Sequence, residues 1–124
     1  MRILIVDDSR TTRAILRGMV NTMGFEAVEA VDGLDALDKL NSDDTFQIAL
    51  VDWNMPNMNG YELVKSVRAQ QSFARMVIIM VTTETEMSQI VKALAAGANE
   101  YVMKPFTREI IEDKFKLLGF LHAN

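Results

Sequence analysis

The sequence predicts an α/β fold in which a parallel sheet carries helices on both faces, the doubly wound arrangement. Two observations lead to this class. Five short apolar runs of strand length recur along the 124 residues, and each is followed by a segment with apolar residues at helical spacing. The first, third and fourth runs are rich in Val and Ile, as in strands that are buried on both faces. Five strand-then-helix units in succession indicate a parallel sheet.

Each of the five units consists of one predicted strand followed by one predicted helix. In the first helix Ile15, Met19 and Met23 share one face, and Gly24 is expected to end the helix. The five predicted strands are Ile3–Val6, Ala27–Ala30, Ile48–Val51, Val77–Val81 and Tyr101–Met103.

The other four helices have similar signals. The second follows an Asp32-Gly33 turn, Gly97 lies just past the end of the fourth, and the fifth begins near Thr107. The apolar positions that mark helices two to five are, in order, Leu34, Leu37 and Leu40; Leu63, Val64 and Val67; Met87, Ile90, Val91 and Leu94; and Ile110, Ile111, Phe115 and Leu118.

Composition limits the function. With 49% apolar and 24% charged residues, we expect one globular domain over residues 1–124, acting as a monomer. The net charge of −4 argues against nucleic-acid binding, and the absence of cysteine excludes disulfides and thiolate metal sites. No apolar stretch is long enough for a membrane span, and only four apolar residues follow Arg2 before Asp7 and Asp8, so we expect no secretory signal. We therefore expect a cytoplasmic protein without membrane contacts.

Polar side chains follow four of the five predicted strands. In open parallel sheets, ligands bind beyond the carboxyl ends of the strands, where the strand order reverses. If the first and third strands are neighbours, three carboxylates meet at this edge, and a hydroxyl and an ammonium group approach from the far side. The residues at these strand ends are Asp7 and Asp8, Asp52, Thr82 and Thr83, and Lys104 with Pro105.

The expected chemistry is phosphoryl transfer with a metal ion. Carboxylates this close raise one another's pKa, and Lys104 offsets only one of their negative charges. A hard divalent cation, Mg²⁺, is the simplest way to neutralise the remaining charge. A carboxylate beside the cation and Lys104 is a nucleophile toward phosphorus, and the Thr82 hydroxyl suits a phosphoryl oxygen. Taken singly, each residue has a simpler explanation: Asp-Asp forms caps and turns, and a Lys before Pro is often solvated. Their joint placement favours a site.

The sequence resembles the receiver domains of bacterial two-component response regulators, and within them the single-domain, CheY-like chemotaxis proteins. The similarity covers nearly the whole chain and implies the flavodoxin-like (βα)5 fold with strand order 2-1-3-4-5. The segments that carry it are Val6–Ser9, Asp52–Gly60, Met80–Glu84 and Tyr101–Thr107.

The resemblance implies a role for each polar residue at the edge. Asp52 would accept a phosphoryl group from the phosphohistidine of a CheA-like histidine kinase. Mg²⁺ would be bound directly by Asp8, Asp52 and the backbone carbonyl of Asn54, with Asp7 acting largely through water. Thr82 and Lys104 would contact the phosphoryl oxygens, and such a domain catalyses only its own phosphorylation and dephosphorylation.

A switch and an output face are also implied. The Lys104-Pro105 peptide bond is expected to be cis. Phosphorylation would draw Thr82 inward, and the ring of Tyr101 would turn into the space behind it, altering the surface bound by a flagellar switch or another target. Without the resemblance, the sequence favours the simpler interpretation of Tyr101 as an interfacial aromatic side chain with its hydroxyl in water. The expected output face consists of Ile90, Leu94, Tyr101 and Lys114.

The chain departs from the enteric chemotaxis protein at the target face. Glu86 and Met87 replace a pair of lysines, which predicts an altered target contact unless these are only solvated helix positions. Thr83 stands where Ala is frequent, and its bulk would affect access to the site. Lys114 matches a lysine of the output face.

Alternative functions are a phosphorelay or non-chemotaxis receiver, a haloacid-dehalogenase-like phosphatase and a flavodoxin-like FMN protein. The phosphatase needs a second Asp where Asn54 stands, and Asp7 and Asp8 would repel the FMN phosphate. Asn54 and Glu84 match the residues that flank the hydrolytic water in chemotaxis proteins and imply rapid dephosphorylation, with or without a phosphatase. His122, the only histidine, is expected at the surface.

Overall fold

Five strands and five helices alternate along the chain in the predicted order. The computed structural model describes residues 1–83 and 86–121. The strands are β1 (Arg2–Val6), β2 (Glu26–Ala30), β3 (Phe46–Val51), β4 (Val77–Thr82) and β5 (Glu100–Met103). The helices are α1 (Arg10–Thr22), α2 (Gly33–Ser42), α3 (Gly60–Arg68), α4 (Met87–Ala96) and α5 (Arg108–Leu117), and a short 3-10 helix, Gln71–Phe73, was not predicted.

The sheet is fully parallel and has the order β2-β1-β3-β4-β5, which confirms the predicted topology. The order reverses at β1, whose neighbours are β2 on one side and β3 on the other. Val6 and Val51, the last residues of β1 and β3, are paired in register. The residues that follow them, Asp7 and Asp52, therefore emerge side by side at the carboxyl edge.

Two apolar layers cover the faces of the sheet, so the prediction of a doubly wound fold is confirmed. Alternate residues of β1 enter opposite layers: Leu4 and Val6 pack with α2, α3 and α4, whereas Ile3 and Ile5 pack with α1 and α5. All four side chains are at most 1% exposed. The continuous apolar run of β1 is thus explained by burial on both faces.

Several predicted helix faces are wrong in detail. The predicted α3 face of Leu63, Val64 and Val67 is buried. In α1, however, Ile15 is 48% exposed, and the buried residues are Leu16 and Val20. The other marker residues that lie exposed are Leu34, Met87, Val91, Leu94 and Ile110.

The predicted helix ends agree with the structure. Gly24 follows the cap of α1 with φ 94°, and Gly97 caps α4 with φ 123°. Positive φ favours glycine, because it lacks a Cβ atom. The Thr107 side chain accepts a hydrogen bond from Ile110 N–H and caps α5. No helix in residues 1–83 and 86–121 is both long and apolar enough to span a membrane.

Candidate metal and phosphoryl site

Three carboxylates meet at the carboxyl edge of the sheet. One oxygen from each of Asp7, Asp8 and Asp52 lies within 4.8 Å of the other two. Asp7 and Asp52 are buried, whereas Asp8 is exposed. Backbone hydrogen bonds from Asp7 N–H to Ala30 O (3.2 Å) and from Asp52 N–H to Val6 O (2.9 Å) fix these positions. The structure therefore brings together the carboxylates that the sequence placed at two strand ends.

Lys104 reaches the same cluster from the end of β5. Its Nζ donates hydrogen bonds to Asp7 Oδ2 at 2.7 Å and to Asp52 Oδ2 at 3.3 Å. Its backbone N–H donates to Thr82 O (2.9 Å), and the bond to Pro105 is cis, as predicted. Burial lowers the pKa of Lys104, but the two carboxylates outweigh burial and raise it overall. The ammonium group thus stays charged.

Asp52 has a raised pKa in the folded protein. Burial raises its pKa, and the negative charge of Asp7 adds to this, while the Thr82 hydroxyl and the Lys104 ammonium lower it only in part. Oδ1 of Asp52 is buried and makes no hydrogen bond with the part of the chain that the structure describes. A buried acceptor of this kind is costly unless something binds it.

The residues present fit a hard divalent cation. All the donors are carboxylate oxygens, which Mg²⁺ prefers, and Asp52 carries an oxygen, Oδ1, that no described residue binds. The single ammonium of Lys104 offsets only one of the three negative charges. Both oxygens of Asp7 already accept hydrogen bonds, from Ser9 N–H (2.8 Å) and from Lys104. Asp8, by contrast, is exposed, and Oδ1 of Asp52 accepts no hydrogen bond from the described residues.

A basic pair behind the cluster was not anticipated from the sequence. Arg13 Nη1 donates to the backbone oxygen of Asp7 at 2.8 Å, and its Nε pairs with Glu29 Oε1 at 3.0 Å. Arg17 binds the other oxygen of Glu29 at 3.0 Å. Burial raises the pKa of Glu29, but the two arginines outweigh it and lower the pKa overall. The only sequence signal is the i, i+4 spacing of the arginines.

The segment after Asp52 folds tightly against it. Gly60 N–H donates to Trp53 O at 2.8 Å, and a Cβ atom at Gly60 would lie 2.1 Å from Asp52 O. Trp53 is buried and stacks on Tyr61 with ring centroids 5.5 Å apart. Asn54 lies in this segment and is exposed. The glycine of the Asp52–Gly60 motif is therefore required by the close backbone approach.

The predicted switch residues occupy adjacent strands. Thr82 is fully buried at the end of β4, and Tyr101 in β5 is half-buried against the layer that contains α4. Met80 pairs in register with Tyr101, and Thr82 pairs with Met103. Thr82 therefore lies on β4 two residues beyond the position that pairs with Tyr101 on β5.

The predicted output residues lie on α4, β5 and α5. Ile90 is half-buried and Leu94 is 41% exposed. Lys114 Nζ pairs with Glu100 Oε1 at 3.2 Å. Exposed apolar side chains extend this surface, namely Met87 and Val91 on α4, Met103 on β5 and Ile110 on α5.

The remaining predicted positions are distributed as follows. Thr83 is exposed directly after β4, and Glu86 is exposed at the start of α4. Glu84 and His122 lie outside the described residues. Asp32, which ends the loop after β2, is buried although the sequence offered no candidate there.

Comparison with known proteins agrees with this geometry. Residues 3–116 match the family model described as the response regulator receiver domain. Chemotaxis protein CheY1 of Helicobacter pylori is 42% identical over 119 residues, which are 95% of this chain and 96% of that protein. A chemotaxis protein CheY homolog of Campylobacter jejuni is 44% identical over 94% of this chain and 90% of its own.

Solved structures show the same relationship. The chemotaxis response regulator CheY4 of Vibrio cholerae is 34% identical with a TM-score of 0.88, covering 94% of this chain and 97% of that one. A CheY-like receiver domain protein from Methanospirillum hungatei is 32% identical with a TM-score of 0.86, covering 94% and 91%. With its fold, its acidic edge and the match over residues 3–116, the chain belongs to the response regulator receiver domain family, among relatives of the chemotaxis CheY type.

Proposed function

We propose that Asp52 is the phosphoacceptor of this receiver domain, and that Asp8, Asp52 and the backbone carbonyl of Asn54 bind Mg²⁺, with Asp7 acting through water. The observation that carries this proposal is the buried Oδ1 of Asp52, which no described residue binds, beside a charged lysine. Bound Mg²⁺ supplies positive charge to the oxygens of the transferring group.

The residues of the chain perform the remaining steps. A carboxylate oxygen of Asp52 attacks phosphorus, and the bond from phosphorus to the leaving group of the donor breaks as the new bond forms. Lys104, 3.3 Å from Asp52 Oδ2, neutralises charge on the phosphoryl oxygens, and the Thr82 hydroxyl donates to one of them. The domain thus catalyses its own modification and does not act as an enzyme on other substrates.

The signal is proposed to pass from Thr82 to Tyr101 and then to the output face. Thr82 is fully buried, so a shift of its side chain toward the phosphoryl group leaves space that a neighbouring ring can occupy. Tyr101 is half-buried and positioned on the adjacent strand. The face of Ile90, Leu94, Tyr101 and Lys114 would then change its affinity for a target.

The proposed setting is chemotaxis. The donor would be a CheA-like histidine kinase, and the target a flagellar switch protein. The phosphorylated state would be shortened by a phosphatase or by the rapid hydrolysis that the identities of Asn54 and Glu84 imply. Met87 is 70% exposed and Glu86 is also exposed, which supports a target contact unlike that of the enteric protein. A cytoplasmic location, a monomeric state and a single domain over residues 1–124 remain predictions.

Incubation with acetyl phosphate and MgCl₂, followed by intact mass, tests the proposal. We expect one added phosphoryl group, absent from Asp52→Asn and from samples with EDTA. Asp38→Asn, at an exposed position of α2, is the matched control and should be labelled like the wild type. Labelling of Asp52→Asn at the wild-type level would refute the assignment. Decay of the added mass over many hours would favour a phosphorelay over chemotaxis.

A further inference from the structure

The loop after Asp52 is anchored at a second place, at the junction of β2 and α2. Asp32 Oδ2 accepts a hydrogen bond from Asn57 Nδ2 at 2.7 Å, across 25 residues of sequence. Gly33 N–H donates to Met58 O at 3.2 Å. A Cβ atom at Gly33 would lie 2.6 Å from Met58 Cγ, so the two segments are in direct contact.

Asn57 adopts a backbone conformation that needs support. Its φ is 67°, and Met58 N–H donates to Pro56 O at 2.7 Å across it. A turn closed by a bond over two residues with positive φ at its centre is a γ-turn of the rare, strained type. Strained turns persist where neighbouring groups hold them, and the bond from Asn57 to Asp32 is such a constraint.

Asp32 does more than cap α2. Its Oδ1 accepts from Asp35 N–H at 2.8 Å, which is the capping bond, and this leaves Oδ2 for Asn57. Asp32 is only 8% exposed, and the hydrogen bonds from Asp35 and Asn57 lower its pKa, so it is a charged acceptor. Bonds to a charged, buried acceptor are stronger than neutral ones.

The two anchors enclose the segment that carries Asn54. At one end Gly60 N–H binds Trp53 O, and at the other Asn57 and Met58 bind the β2–α2 junction. The backbone of residues 54–56 is thus held on both sides by hydrogen bonds. We propose that Asp32 and Asn57 are positioning residues for the divalent cation, acting through the loop that presents the backbone carbonyl of Asn54. This inference rests on the proposed function, because it assumes that the carbonyl is a ligand.

Two substitutions remove the bond from opposite sides and keep the local backbone role. Asn57→Gly deletes the amide but tolerates positive φ, and Asp32→Ser still caps a helix but is too short to reach Asn57. MgCl₂ titrations followed by Trp53 fluorescence, and independently by calorimetry, give the dissociation constant. We expect it to rise about tenfold in each variant, as for other groups that orient metal ligands. The double variant should bind no more weakly than either single one.

A control separates positioning from general destabilisation. Phe25→Leu removes a buried ring that packs edge-to-face on Phe115, 5.3 Å away, at the end of the sheet opposite the site. It should lower the free energy of unfolding and leave the dissociation constant unchanged. If the wild type binds Mg²⁺ and the dissociation constant of Asn57→Gly lies within about twofold of the wild-type value, this inference is wrong and the proposed function is unaffected. Additive effects in the double variant would overturn it as well. Wild type without any Mg²⁺ response would overturn the proposed function and this inference together.

Discussion

At the scale of single residues, the reactivity expected of Asp52 has a cost in stability. Burial and the charge of Asp7 raise the pKa of Asp52 in the folded state above its unfolded value. The folded state therefore binds more protons than the unfolded state between those two pKa values. Protonation of Asp52 therefore adds to the free energy of unfolding. This gain is fully present below the unfolded pKa and is lost as pH rises through the folded pKa. At neutral pH the ionised carboxylate thus destabilises the metal-free protein.

We predict that Asp52→Asn raises the free energy of unfolding at pH 7 in EDTA by on the order of 1 kcal/mol, since it removes a carboxylate charge that burial and Asp7 disfavour and whose Oδ1 no described residue binds. Urea unfolding measures the difference. It should narrow in acid, where the wild-type carboxyl group is also neutral. Asp38→Asn, at an exposed position, should stay within about 0.5 kcal/mol of the wild type. A less stable Asp52→Asn variant would contradict the electrostatic account.

At the scale of elements, the start of α3 is fixed by one glycine. A Cβ atom at Gly60 would lie 2.1 Å from Asp52 O, a backbone atom that cannot move aside. We predict that Gly60→Ala lowers the free energy of unfolding by about 2 kcal/mol or more through overpacking. A Cβ atom at Gly18, inside α1, would meet no atom within 4 Å apart from the backbone of its own helix. Gly18→Ala should therefore raise the free energy of unfolding by about 0.5–1 kcal/mol. Thermal or urea unfolding of both variants tests the pair, and equal effects would refute the steric explanation.

The elements also show what the sequence could and could not predict. The strand positions were predictable because burial on both faces produces continuous apolar runs, as in β1. The helix faces were less certain because small residues make the contacts: Ala36 and Ala93 are fully buried, while Leu34 and Met87 are exposed. At these positions of α2 and α4, size and hydrophobicity alone therefore selected the wrong residues.

The same contrast holds in the site. The carboxylates could be located because strand ends are visible in the sequence and parallel strands end at one edge. The bond between Asp32 and Asn57 joins two loops 25 residues apart, and the bond from Arg13 to Asp7 O joins a helix to the end of a strand. Neither has a periodic signal, because both depend on how separate segments meet in three dimensions.

At the scale of the whole molecule, the acidic edge exists only when the fold is complete. Lys104 and Asp7 are 97 residues apart in sequence, and their 2.7 Å bond spans β1 and β5 on either side of β3 and β4. The unfolded chain has no such cluster of carboxylates. A cation that binds the cluster therefore binds the folded state alone and stabilises the whole molecule.

We predict that MgCl₂ raises the free energy of unfolding of the wild type by about 1.4 kcal/mol when its concentration is ten times the dissociation constant. The physical reason is that the cation relieves repulsion among Asp7, Asp8 and Asp52 and binds the unpaired Oδ1 of Asp52. Urea unfolding at matched ionic strength, with NaCl in place of MgCl₂, separates specific binding from screening. Asp8→Asn is the informative variant, because Asp8 is exposed and its substitution leaves the buried pair of Asp7 and Lys104 in place. It should fold normally and lose the response to MgCl₂, whereas an equal gain in NaCl would mean that the edge responds only to ionic strength.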